Sequence, residues 1–188
     1  MMDDNQSHEE AIPAQQSQRK PEGWAFALGT FFYAGAIPFA PGTMGSIATM
    51  LIVLGVELAT QPLDPLWWMI AGLVVLVLGI PVGNAAETKF ARHDPGWFVL
   101  DEVSGVLITY AMMRYALQYW GPVLENAQLD WWASIFVALI FFRTYDIAKP
   151  WPIRRVERVG RGAGIMLDDV VAGVMAGISC GVLVLIFA

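Results

Sequence analysis

Apolar and polar positions fall into long separate blocks along this chain. From Gly23 to Val56 there is no charged residue, a run of 34 positions. As one helix it would be about 51 Å long, well beyond a hydrocarbon core of roughly 30 Å. Pro38, Pro41 and Gly42 divide it, because proline lacks an N–H and clashes with the preceding turn. The pattern predicts a short helix over 24–37, re-entrant or lying at the interface. A second helix is predicted from about Thr43–Ser46 to Thr60. Another charge-free run covers 65–86, and apolar segments follow at 99–120, 131–148 and 165–187. The expected fold is an all-α, polytopic integral membrane bundle over 23–188, with about five spans plus the short N-terminal helix. Residues 1–22 are rich in Gln, Ser, Asp and Glu and have no periodic apolar face. They read as a disordered polar tail with no secretory signal.

Composition sharpens this reading. Apolar residues make up 56% of the chain and charged residues 15%, against about a quarter charged in soluble domains. The alternative, an unusually apolar soluble helical domain, draws on the charges that interrupt the third and fourth spans. The net charge of −6 and pI near 4.8 argue against a nucleic-acid partner. Cys180 is the sole cysteine, which excludes an internal disulfide and a cysteine-based zinc cluster.

Basic residues set the expected orientation. The loops at 61–66 and 121–130 contain no Lys or Arg. Lys89, Arg92, Lys149, Arg154, Arg155, Arg158 and Arg161 fall in the loops at the other end, and Arg19, Lys20 and Arg143 lie on the same side. By the positive-inside rule that end is cytoplasmic. Arg114 is the exception, placed to snorkel to the outer surface. Trp67, Trp68, Trp120, Trp131 and Trp132 would form the outer aromatic belt, and Trp24, Trp97 and Trp151 the inner one.

This topology brings four polar clusters to the cytoplasmic helix ends: Pro41–Ser46, Asp101–Glu102, Arg143 with Asp146 and Lys149, and Asp168–Asp169. The acids offer only oxygen ligands, which suit a hard cation such as Mg²⁺. Helix capping by Asp101 and Asp168 is the simpler alternative, but it leaves the doubled acids and Asp146 without a reason. Arg143 and Lys149 could hold phosphate oxygens. A structural Arg143–Asp146 pair is the competing account, and Arg154, Arg155, Arg158 and Arg161 suit anionic lipid heads. Gly42, Thr43 and Ser46 open a helix whose free amides could hold a phosphate, or else form a capping turn. His93 is a candidate general acid or base, or a plain loop histidine. The stretch is not a phosphate-binding P-loop, since its lysine is absent. Cysteine-, aspartate- and histidine-nucleophile phosphatase motifs are absent too. For phosphate ester cleavage, water activated by a metal is the chemistry left.

These motifs carry a resemblance. Pro38-Phe-Ala-Pro-Gly-Thr-Met-Gly-Ser46, Asp101-Glu102-x-x-Gly105, Phe142-Arg143-x-x-Asp146-x-x-Lys149-Pro-Trp-Pro-Ile153 and Gly164-Ile-Met-Leu-Asp-Asp-Val-Val-Ala-Gly173 resemble the phosphatidylglycerophosphatase A family in order and spacing, from about residue 24 onward. The resemblance implies a Mg²⁺-dependent lipid phosphatase of the bacterial inner membrane. Its substrate would be phosphatidylglycerophosphate in the inner leaflet, cleaved to phosphatidylglycerol and phosphate. The matching acids would be Asp101, Glu102, Asp146, Asp168 and Asp169, with Mg²⁺ among Asp101, Glu102, Asp168 and Asp169. The matching basic residues would be Arg143 and Lys149. A membrane cation carrier using the acidic cluster is the rival from another class, although a carrier would be expected to place its ligands near the midplane.

Overall fold

The computed structural model describes residues 23–90, 95–120, 130–156 and 160–187. The predicted 1–22 tail and His93 lie outside them. In chain order the elements are α1 (Trp24–Gly29), a 3₁₀ turn (Ala34–Ala36), α2 (Pro41–Thr60), α3 (Pro65–Phe90), α4 (Leu100–Trp120), α5 (Trp131–Ala148), α6 (Ile153–Val156) and α7 (Arg161–Phe187). The described residues contain no strand.

Three boundaries differ from the expected ones, each for a local reason. Residues 24–37 are not one helix: after α1 the chain turns through Phe31, Phe32 and Tyr33, all at positive φ. Thr30 holds that turn, its Oγ1 donating to Phe26 O at 2.7 Å and accepting Tyr33 N–H at 3.0 Å. Helix α2 starts at Pro41, where a missing N–H costs nothing, and Ala40 before it supplies no side-chain cap. Thr43 and Ser46 are therefore inside the helix, and Ser46 Oγ bonds back to Gly42 O at 2.9 Å. Helix α7 starts at Arg161, after Gly160 at φ 74. Asp168 thus sits two turns inside it, which removes the helix-capping account of that residue.

Helix α4 is the axis of the bundle. It packs most extensively on α7 and α3, then on α5 and α2, and nearly every side chain from Asp101 to Met113 is buried. The surrounding helices turn large apolar side chains outward: Leu51 and Leu58 on α2, Val77 and Leu78 on α3, Phe136 and Ile140 on α5, Ile178 and Ile186 on α7. Water-soluble monomers rarely expose apolar surface on this scale. Pro41–Thr60, Pro65–Thr88 and Gly162–Ile186 are long and apolar enough to cross a membrane. The fold is that of a helical membrane protein whose polar helix is wrapped by apolar ones.

Small residues set the closest helix crossings. A Cβ on Gly173 would lie 2.5 Å from the Gly105 carbonyl oxygen, and Thr109 Oγ1 donates to Gly173 O at 3.1 Å across the same crossing. On the α3 side, Ser104 Oγ donates to Gly72 O at 2.9 Å. Lipid tails are as apolar as the helices, so close backbone approach and interhelical hydrogen bonds carry the association. The α4–α7 crossing lies one turn from both acid pairs and fixes their separation.

Candidate active site

Four helix segments meet at one end of the bundle: the start of α2, the start of α4, the last turn of α5, and α7 two turns from its start. In α4 and α7 the two acids are consecutive and share a local arrangement. Asp101 Oδ1 accepts Glu102 N–H at 3.0 Å, and Asp168 Oδ1 accepts Asp169 N–H at 3.1 Å. Consecutive helical residues differ by about 100° in direction, yet Asp101 and Glu102 both reach the same group of carboxylates, whereas of the α7 pair only Asp169 does.

One oxygen from each of Asp101, Glu102 and Asp169 falls within a group spanning 4.8 Å. Asp101 and Asp169 are buried and Glu102 is largely so. Asp146 stands beside Glu102 and Asp169. Asp168 is placed differently from the expected four-carboxylate set: its Oδ2 meets Lys149 Nζ at 2.8 Å. Lys149 reaches it from the C-cap of α5, in the left-handed conformation at φ 40.

Arg143 bridges three of the segments. Its Nη1 pairs with Asp146 Oδ2 at 2.5 Å and approaches Glu102 Oε1 at 4.0 Å, while Nη2 donates to Thr43 Oγ1 at 3.2 Å. Its Nε and Glu102 Oε2 are buried with no hydrogen-bond partner among the described residues. Such groups are costly to leave unmet. Gly42 closes the site from α2, and a Cβ there would strike the Glu102 carboxylate and crowd Arg143. The site thus brings together Gly42, Thr43, Asp101, Glu102, Arg143, Asp146, Lys149, Asp168 and Asp169. Ser46 is buried in α2, its hydroxyl committed to its own helix.

Two polar residues outside these motifs support the arrangement. Asn84 Oδ1 accepts Gly162 N–H at 2.9 Å, tying the start of α7 to α3. A lone amide in an otherwise apolar run is the sequence signal for it. At the opposite end, fully buried Glu57 accepts Leu63 N–H at 2.8 Å, Trp68 Nε1 at 2.7 Å and the Tyr110 hydroxyl at 3.2 Å. Trp68 is therefore a core residue and not part of an outer aromatic belt.

The trio of carboxylates passes a chemical test for a hard divalent cation. All donors are oxygen, they converge, and one buried carboxylate oxygen lacks a partner. Mg²⁺ is commonly held by one or two carboxylates with substrate phosphates.

The profile of the phosphatidylglycerophosphatase A family matches residues 27–184. The chain is 35% identical over 167 residues to Escherichia coli phosphatidylglycerophosphatase A, covering 83% of this chain and 79% of that protein. It is 34% identical over 156 residues to the Haemophilus influenzae enzyme of the same name, covering 79% and 82%. It is also 35% identical over 159 residues to a Bacteroides thetaiotaomicron protein provisionally named phosphatidylinositol-3-phosphatase, covering 83% and 91%. No solved structure matches the chain. With almost the whole bundle inside the family profile, the chain belongs to the phosphatidylglycerophosphatase A family.

Proposed function

We propose that the protein is a Mg²⁺-dependent lipid phosphatase that removes the terminal phosphate of phosphatidylglycerophosphate. The observation that carries this reading is the convergence of Asp101, Glu102 and Asp169 beside Arg143. Asp101, Glu102 and Asp169 would hold the cation. When bound, it supplies Lewis acidity that offsets phosphoryl charge and makes hydroxide available near neutral pH.

The chain's own groups do the rest. Arg143 presents its unmet Nε to a phosphoryl oxygen, while Asp146 and Thr43 fix the plane of its guanidinium. A fork held this way favours the charge distribution of the transition state. Lys149, oriented by Asp168, adds a second positive charge at the same end. Gly42 keeps the space that the Glu102 carboxylate occupies. Among the described residues Arg143, Lys149, Arg154 and Arg155 lie at this end, which supports a site at the cytoplasmic face of a bacterial inner membrane. The substrate's acyl chains then stay in the bilayer while the headgroup reaches the carboxylates.

The Bacteroides relative's name points to a different lipid phosphomonoester. The test is phosphate release by purified protein in detergent, with and without chelator. Substrates are phosphatidylglycerophosphate, phosphatidylinositol 3-phosphate and phosphatidate. Chelator-sensitive release fastest from phosphatidylglycerophosphate is expected. Faster release from the phosphoinositide would move the assignment to that lipid. No release from any of them would favour a cation carrier.

A further inference from the structure

The end of the bundle opposite the carboxylates holds a second polar site. Arg114 is the single Lys or Arg between Arg92 and Arg143 in the sequence. It lies thirteen residues beyond Asp101 on α4, about 20 Å along the helix. With Pro62, Leu63, Asp64, Leu117 and Gln118 it lines a cavity of about 470 Å³, in the usual size range for a small ligand. Arg114 Nε is buried and has no hydrogen-bond partner among the described residues. Glu57 nearby already has three donors. Asp64 uses Oδ1 to accept Leu66 N–H at 2.8 Å, which leaves the acceptor capacity of its other oxygen.

We propose that this cavity binds the headgroup of a zwitterionic phospholipid with a primary amine. The phosphodiester meets the Arg114 guanidinium, the ammonium meets Asp64, and the Gln118 amide serves either. Leu63 and Leu117 supply the apolar wall, and exposed Leu66 and Trp67 beside it offer a surface for acyl chains. A guanidinium and a carboxylate in one cavity complement a ligand carrying both charges, whereas a purely anionic headgroup would face Asp64. The site is independent of the carboxylate cluster and of the reaction assigned to it.

Native mass spectrometry of the purified full chain, with phosphatidylethanolamine or phosphatidylglycerol added in detergent, tests this. The wild type should retain phosphatidylethanolamine preferentially. Arg114→Gln should lose it, and so should Leu117→Trp, which fills the cavity and leaves every charge in place. Asp64→Asn keeps the acceptor for Leu66 and should lose only the preference over phosphatidylglycerol. Equal retention of the two lipids by the wild type would overturn the proposal. So would undiminished phosphatidylethanolamine retention in both folded Arg114→Gln and folded Leu117→Trp proteins.

Discussion

Lys149 and Asp168 form an ion pair, Nζ to Oδ2 at 2.8 Å, that joins the end of α5 to α7. Asp168, held by this pair, is not among the three converging carboxylates, whereas Asp169 is. Two adjacent acids thus have different roles. Asp169→Asn should reduce phosphate release by at least about a hundredfold, since it alters a cation ligand directly. Asp168→Asn should cost about tenfold, at the low end of the loss seen when a group orienting a metal site is removed. Lys149→Met, which also removes the positive charge, should lose more than Asp168→Asn, and the double variant little more than Lys149→Met alone, because Asp168 acts through Lys149. Equal losses for the two aspartates would contradict this division.

Gly42 and Gly173 make opposite predictions for the same change. A Cβ on Gly42 meets the far ends of Glu102 and Arg143, which can swing away. Gly42→Ala should keep the fold and lose roughly ten- to a hundredfold in kcat, the cost of small misplacements in a reacting site. A Cβ on Gly173 meets the backbone of Gly105, which cannot move without separating α4 from α7. Gly173→Ala should lower the thermal unfolding midpoint, by an overpacking cost of about 1–3 kcal/mol. Thermal melts and steady-state kinetics on both variants check the contrast.

Glu57 offers a stability test remote from the chemistry. Its carboxylate serves a backbone N–H, an indole and a phenol. In Glu57→Gln one oxygen becomes an NH₂ group facing a donor. A cost of about 1–3 kcal/mol is expected, with turnover per folded molecule unchanged. Equal loss of turnover and stability would place Glu57 in communication with the distant site.

The helices were legible because charge-free runs and prolines mark them directly. The meeting of distant motifs was legible because alternating passes return every second helix end to one layer. What the residues alone could not give was partnership. Asp168 and Asp169 are equivalent in sequence, and only the position of Lys149 separates them. Capping by Asp168, the alternative account, fits a helix that begins at 165. Gly160 moves the start to Arg161 and places the residue in the helix interior. The Glu57 cluster joins residues 11 and 53 positions apart, and no periodicity announces such contacts. His93 lies outside the described residues.

Arg143 and Thr43 permit a test that separates position from charge. Thr43 Oγ1 accepts from Nη2, so Thr43→Val leaves the guanidinium charge in place but frees its plane. Its effect should fall on kcat more than on KM, and Thr43→Ser should restore activity. Arg143→Lys keeps a charge but loses the fork and the contact to Thr43. Its loss should exceed that of Thr43→Val.

The cation assignment can be checked without turnover. A ligand that binds only the folded state stabilises it by about 2.7 kcal/mol at a hundred times its dissociation constant. The trio brings three carboxylate oxygens together at this end, and Glu102 Oε2 lacks a partner among the described residues. Mg²⁺ should therefore raise the thermal unfolding midpoint of the wild type in detergent, whereas Na⁺ at equal ionic strength should not. Asp101→Asn and Asp169→Asn should each abolish the Mg²⁺ response. Asp64→Asn, at the opposite end, should preserve it. A response that survives both site variants would place the cation elsewhere in the bundle.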